Sequence, residues 1–286
     1  MTTPGTDLKI EYRRMAEADL PATHALSQAV RWPHRLEDWQ FVHRLGTGFV
    51  AESEGAIVGT ASCWAYGSEH GSLGMVVVSP DAQGKGIGRE LMNRVLGELG
   101  ERSTMLIATL AGQPLYESLG FVATGQIHQH QGTMFQVGTA VPPAGERIRP
   151  VGASDAPKLA RLASRGLGMP RATVLDALRK VGDCVVLDSG GEPVGFAFCR
   201  RFGRGYAIGP VVAPDPERAK ALIAHWIGVR AGSFVRIDVH DASGLSPWLV
   251  EMGLDRVDSG IIMVRGEPPH VDEGVQQFAI INQALC

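Results

Sequence analysis

The chain has 286 residues, 44% of them hydrophobic and 20% charged, with a formal net charge of −3. That length suits two domains of about 130 residues, and near-neutral charge without a basic tract argues against nucleic acid as a partner. No apolar run approaches the roughly 20 residues of a membrane span, so no membrane partner is expected. Cys63, Cys184, Cys199 and Cys286 are widely spaced and read as reduced structural thiols, not as a metal site or disulfide framework. The opening Met1-Thr-Thr-Pro-Gly-Thr-Asp7 lacks the basic-then-apolar order of an export signal, so the expected location is cytoplasmic.

Leu8–Tyr12 alternates like a half-buried strand. Asp19–Val30 is expected to be a helix, with Asp19 as its cap and Pro21 in its first turn, ended by Trp32-Pro33. Arg35–Arg44 makes a second helix. Gly48–Glu52 and Ala56–Tyr66 pair across the turn Ser53-Glu54-Gly55. Met75-Val76-Val77-Val78 is a buried strand, broken by Ser79-Pro80-Asp81. Gly84, Gly86 and Gly88 follow at alternate positions, and Ile87, Leu91, Met92, Val95, Leu96 and Leu99 then fall at helical spacing. Strand, glycine turn and helix in that order gather backbone N–H groups and the positive end of a helix dipole at one point. Such a point should bind an anion, and phosphate above all.

The spacing excludes a P-loop, because Gly84-Lys85 lacks the upstream glycine and the following Ser or Thr. A dinucleotide fingerprint fails as well: Arg89 or Leu91 stands where its third glycine belongs. Gln83-x-x-Gly86-x-Gly88 instead resembles the pyrophosphate loop of the GCN5-related N-acetyltransferases, the GNAT superfamily. Downstream, the aliphatic strand Ser103–Leu110 leads to Gln113-Pro-Leu-Tyr116-Glu-Ser-Leu-Gly120-Phe121. Its Leu-Tyr-x-x-x-Gly-Phe is similar to the same superfamily and follows the loop at the family's distance. The resemblance covers residues 8–136. It implies an α/β fold, with a mixed, mostly antiparallel sheet flanked by helices and splayed between the central strand and the strand near 104–110. Acetyl-CoA would lie in that splay.

Val141-Pro-Pro-Ala-Gly145 reads as a linker, and beyond it the order of elements repeats. Arg147–Asp155 echoes Glu11–Asp19, Cys184–Phe198 echoes Phe49–Ser62, and Gly209–Asp215 echoes Gly74–Asp81. Two tandem domains are therefore expected: a catalytic one over 1–136, a linker over 137–146, and a degenerate copy over 147–286 that includes a C-terminal tail. The copy loses its donors where chemistry should happen. Pro216-Glu217-Arg218 replaces the glycines, and Leu249 stands where Tyr116 stands in the first copy, four residues before a glycine. One cofactor per chain is the expectation.

By that resemblance, the backbone from Met75 through Val76, Val77 and Val78 would hold the thioester and pantetheine. Gln83, Gly84, Lys85, Gly86, Ile87, Gly88 and Arg89 would hold the pyrophosphate. Tyr116 is the candidate general acid for the departing thiolate, since a phenol carries a proton at neutral pH. Glu69 and His70 precede the central strand and are candidate bases, with His70 having the suitable ordinary pKa; ordered water is the alternative. Trp32, Trp39, Trp64 and Tyr66 lie in segments that often shape the acceptor site in this superfamily; core packing is the other reading, with Trp32, beside Pro33 at a helix end, the best exception. His128 and His130 share one strand face, which fits a pocket wall or a solvated sheet face. The reading is an acetyl-CoA-dependent N-acetyltransferase acting on a small-molecule amine, as monomer or homodimer. A protein or peptide acceptor, or a non-catalytic acyl-CoA sensor, are the alternatives.

Overall fold

The structure, a computed structural model, describes residues 9–135 and 140–286. Leu8, the N-terminal residues read for a signal, and the start of the expected linker lie outside the described residues. The chain divides into two compact units, one of residues up to Trp64 with Leu73–Gly100, the other of Ala65–Ser72 with Glu101–Cys286.

The first unit holds β1 (Ile10–Arg14), α1 (Leu20–Ala29), α2 (Leu36–His43), β2 (Thr47–Ser53), most of β3 (Ala56–Tyr66), most of β4 (His70–Val78) and α3 (Ile87–Leu99). β1, β2 and β3 pair antiparallel in that order. The β2–β3 turn is tight because Glu54 and Gly55 both take positive φ, 50° and 78°, which matches the twist of a two-residue hairpin. α3 buries Ile87, Leu91, Met92, Val95 and Leu99, the residues its spacing singles out. Each such side chain contributes about 1.5–3 kcal/mol of apolar burial. β3 runs close beneath α3: a Cβ on Gly59 would stand 3.0 Å from both Ile87 and Leu91. Asp19 precedes α1 as expected but does not cap it. Its carboxylate turns back to accept the Ala16 N–H and both Nη groups of Arg13, whose Nε also binds Glu52.

The second unit holds β5 (Ser103–Ala108), α4 (Gln113–Glu117), β6 (Val122–Thr133), β7 (Glu146–Pro150), α5 (Ala156–Leu167), α6 (Ala172–Leu178), β8 (Gly182–Ser189), β9 (Glu192–Phe202), β10 (Gly205–Ala213), α7 (Pro216–Val229), β11 (Phe234–His240), α8 (Ser246–Glu251), β12 (Asp255–Arg265) and β13 (Gln276–Ala279). The start of β4 belongs to it too. Within this unit the strand order is β4–β5–β12–β6–β11–β13–β10–β9–β8–β7. α7 seals one face with Leu222, Ile223, Trp226 and Ile227, and the Trp226 Nε1–H donates to the Ala197 carbonyl at 3.1 Å.

Two features of this order were absent from the sequence reading. β12, from the second half of the sequence, lies between β5 and β6, while β6, from the first half, pairs with β11. The halves thus exchange strands inside one compact unit. The repeat is nevertheless visible in detail: Arg149 binds Asp155 and Asp188 as Arg13 binds Asp19 and Glu52, and the Asp155 carboxylate accepts the Gly152 N–H. No helix among the described residues is long and apolar enough to cross a membrane.

Candidate functional site

The end of β4 carries the features that fit an anion. Met75, within β4, has φ of 54°, a left-handed conformation costing about 1–2 kcal/mol in a residue with a Cβ. The Thr60 hydroxyl holds this bend by donating to the Met75 carbonyl at 2.6 Å. Val76 and Val78 are half-buried and Val77 is buried. A short 3-10 turn, Pro80–Ala82, follows. The Gln83 side-chain amide returns to the Val78 carbonyl at 3.2 Å and ties the turn to the strand. Lys85 reaches the Asp81 carbonyl at 3.4 Å.

Gly84 and Gly86 have φ of 77° and 78°, and a Cβ on either would meet nothing within 4 Å. These glycines are there for backbone conformation, and the space above them is open. α3 starts at Gly86 with no side-chain hydrogen bond at its cap. The N–H groups of Ile87, Gly88 and Arg89 are the first of the helix, aligned with the positive end of its dipole. This donor set fits a pyrophosphate.

The corresponding turn after β10 is built differently. Asp215 caps α7, accepting the Arg218 N–H at 2.9 Å and pairing with the Arg218 guanidinium, which also grips Glu146 at 2.6 Å. Burial works to raise the Asp215 pKa, yet the hydrogen bonds from Arg218 hold it below the usual carboxylate value. The helix end is satisfied by the chain itself.

The sheets differ in the same sense. β4 pairs parallel with β5 through His70–Ser72 against Ser103–Met105, three residue pairs. β10 pairs parallel with β11 through Tyr206–Ile208 against Val235–Ile237, again three. Beyond Ile208 the second pair diverges, and β13 fills the gap. Ala279 sits opposite both Val211 and Val239, with Gln276 and Gln277 opposite Ala213 and Val212. The gap between β10 and β11 thus already contains a strand.

Tyr116 lies on α4, 8% exposed, with its ring edge-on to Phe121 at 6.2 Å. Burial pushes its hydroxyl up to about 12, so it carries its proton throughout the neutral range. The helix closes on Gly120 (φ 86°), with the Phe121 N–H on the Tyr116 carbonyl. α8 repeats this, with Gly253 (φ 88°) and the Leu254 N–H on the Leu249 carbonyl, but Leu249 is an apolar core side chain. Glu69 is exposed; its carbonyl accepts the Ser103 N–H. His70 is half-buried, and its buried Nδ1 has no hydrogen-bond partner among the described residues.

The aromatic and histidine candidates are spread over both units. In the first, Trp39 and Trp64 are core side chains at 1% exposure, their indole N–H groups donating to the Ser27 hydroxyl and the Val42 carbonyl. Trp32 is half-buried with its ring 5.5 Å from His34. In the second, Tyr66 is buried and its hydroxyl donates to the Leu285 carbonyl. His128 Nε2–H donates to Asp241 at 2.8 Å and its Nδ1 meets the Ser259 hydroxyl at 2.9 Å. His130 Nδ1–H donates to the Leu254 carbonyl while its Nε2 meets Ser246, and burial lowers its pKa. Both histidines fasten β6 to its surroundings. Sequence reasoning missed the Asp215 cap, β13, and Arg171, whose buried guanidinium holds the Leu285 and Cys286 carbonyls. Asp-Pro before a helical run was a readable signal for the cap; the other two depend on contacts distant in sequence. Among the described residues no group of three or more His, Cys, Asp or Glu could hold a metal ion.

Comparison with known proteins places this geometry in a family. Two models, each described as an acetyltransferase (GNAT) domain, match residues 44–123 and 159–279. "Uncharacterized N-acetyltransferase YitH" of Bacillus subtilis is 26% identical over 218 residues, covering 75% of this chain and 76% of the relative. "L-amino acid N-acyltransferase MnaT" of Escherichia coli is 36% identical over 96 residues, covering 30% of this chain and 55% of the relative. The crystal structure of a candidate acetyltransferase from Pyrococcus horikoshii shares the fold at a TM-score of 0.80 and 18% identity, covering 100% of this chain and 99% of that one. The chain belongs to the GNAT superfamily, carries two GNAT domains in tandem, and is an acyltransferase.

Proposed function

We propose that the protein is an acetyl-CoA-dependent N-acetyltransferase for a small-molecule amine, with the chemistry in residues 1–136 and a degenerate copy in 147–286. The observation that supports this most is the open start of α3, where Gly84 and Gly86 present backbone N–H groups without a side-chain cap. Bound acetyl-CoA supplies the activated acyl thioester. The N–H groups from Gly84 to Arg89 hold its pyrophosphate, and the backbone around Val76 and Val78 orients the pantetheine arm and thioester.

Transfer is direct, within a ternary complex. The amine must arrive neutral. His70, through its unpartnered Nδ1, or an ordered water takes the amine's proton. Tyr116 gives its proton to the departing sulfur. Its raised pKa keeps that proton in place until negative charge develops beside it. The relative named for L-amino acids makes the α-amine of an amino acid the first acceptor to try.

The test is thermal unfolding with and without coenzyme A, followed by acetyl transfer to each of the twenty L-amino acids. Stabilisation that grows with ligand concentration, with release of free thiol dependent on at least one amine, is expected. Stabilisation without turnover on any amine would favour an acyl-CoA sensor, and no stabilisation would remove the cofactor assignment.

A further inference from the structure

Residues 276–286 belong to two structures at once. β13 fills the gap between β10 and β11, and the chain then turns. The Ile280 N–H donates to the Asp238 carbonyl, and the Asn282 side-chain oxygen accepts the N–H groups of Ala284 and Leu285. After that turn, side chains take three successive carbonyls. The Ser72 hydroxyl donates to Ala284 at 2.9 Å and the Tyr66 hydroxyl to Leu285 at 3.0 Å. One Nη of Arg171 donates to both Leu285 and Cys286 at 2.9 Å. The Arg171 guanidinium also lies 4.6 Å from the centre of the Tyr66 ring, and the whole residue is 2% exposed.

The place where this segment is fastened matters. Ser72 is the last β4 residue paired with β5, opposite Met105, and Met75 begins the left-handed bend three residues on. Ser72 therefore anchors β4 at the end of its pairing with β5, just ahead in sequence of the Met75 bend. The clamp also resists slippage. Ser72 and Tyr66 each spend a hydroxyl proton on the segment; removing the Ser72 hydroxyl takes from the buried Ala284 carbonyl its side-chain donor, whereas Leu285 keeps Arg171 when Tyr66 loses its hydroxyl.

We propose that Ala284–Cys286, clamped by Arg171, Tyr66 and Ser72, set the position of β4 for acyl transfer, so that the degenerate copy serves the catalytic one through this segment. Arg171, Tyr66 and Ser72 are then positioning residues, acting on the thioester through the backbone of β4. This inference rests on the reading of β4 as the thioester strand. It gives the second copy a role that needs no ligand of its own.

The experiment uses the full chain in four forms: wild type, Arg171→Met, Tyr66→Phe and Ser72→Ala. Each is measured for the midpoint of thermal unfolding, coenzyme A affinity, and kcat and KM with the L-amino acid that wild type acetylates fastest. Arg171→Met keeps an apolar stem while removing the donors; Tyr66→Phe and Ser72→Ala each delete a single oxygen and keep the test alive if the arginine variant does not fold. Misplacement of about 1 Å costs on the order of a hundredfold in rate. Expected is a kcat fall of about tenfold or more in at least two variants that remain folded at the assay temperature, with coenzyme A affinity and its KM within about twofold of wild type. Arg171→Lys, which keeps one donor, should recover part of the loss. Folded variants with wild-type kcat overturn the inference, as does a loss confined to coenzyme A affinity. Wild type that is neither stabilised by coenzyme A nor active fails the functional reading itself, a result distinct from either.

Discussion

The turns after β4 and after β10 follow equivalent strands and open equivalent helices, yet they present opposite surfaces. After β4, two glycines in left-handed conformation lead into a helix with no side-chain cap. After β10, Asp215 accepts the first-turn N–H of Arg218, and Arg218 is itself held by Asp215 and Glu146. The first helix start has no side-chain cap; the second has an internal carboxylate in that place. The sheets repeat the contrast, since β13 lies between β10 and β11 where they part. On the proposed reading, the second copy is closed by its own chain at both places, with the core around α7 intact.

The largest effect should come from the one hydroxyl that distinguishes Tyr116 from Leu249. Tyr116→Phe is expected to lower kcat by about a hundredfold or more, in the range for a lost proton donor, with coenzyme A binding little changed. Because burial raises this hydroxyl to about 12, the wild-type rate should show no Tyr116 titration between pH 6 and 10. Pre-steady-state thiol release across that range checks both points.

Gly86→Asp would turn the first helix start into a likeness of the second. A carboxylate there repels pyrophosphate and competes for its donors. Losing even one or two charge-assisted hydrogen bonds, at about 1.5–3 kcal/mol each, predicts a fall in coenzyme A affinity of about tenfold to ten-thousandfold or more, read by calorimetric titration. Ligand-free stability should fall by about 1–2 kcal/mol, because position 86 holds a φ of 78° that a residue with a Cβ adopts only under strain.

Asp215→Ala tests the opposite end of the comparison. Loss of the cap should cost about 0.5–2 kcal/mol in denaturant unfolding and create no coenzyme A site, because β13 still fills the sheet. The sign of its pH dependence follows from its depressed pKa. The contribution is present above the unfolded value of about 3.9 and is lost as pH falls through the lower folded value. The stability difference between wild type and Asp215→Ala should therefore shrink on acidification below about pH 4.

The smallest effect concerns the repeated arginine clamps. Asp155 and Asp188 are buried, whereas Asp19 and Glu52 are half-exposed. Arg149→Lys should therefore lower the unfolding midpoint more than Arg13→Lys, since lysine cannot span two carboxylates as the guanidinium fork does.

Local pattern made much of this legible in the sequence. The apolar spacing of α3, the β2–β3 turn at Glu54-Gly55 and the glycines before Ile87 are set by neighbours a few residues apart. Contacts distant in sequence were not legible. Nothing in Gln276–Ala279 announces that it pairs with β10 and β11, and nothing in His128 or His130 says that its strand lies between β12 and β11. Residue type also says little about direction: Trp32, Trp39 and Trp64 read alike, but the last two point into the core. The Asp19 carboxylate turned from its helix because Arg13 and the Ala16 N–H offered stronger partners.

The most direct test of the central claim is the stoichiometry of coenzyme A binding to the intact chain by isothermal titration. The account predicts one site per chain, abolished or severely weakened by Gly86→Asp and unaffected by Asp215→Ala. Two sites per chain, or one that survives Gly86→Asp at wild-type affinity, would contradict it.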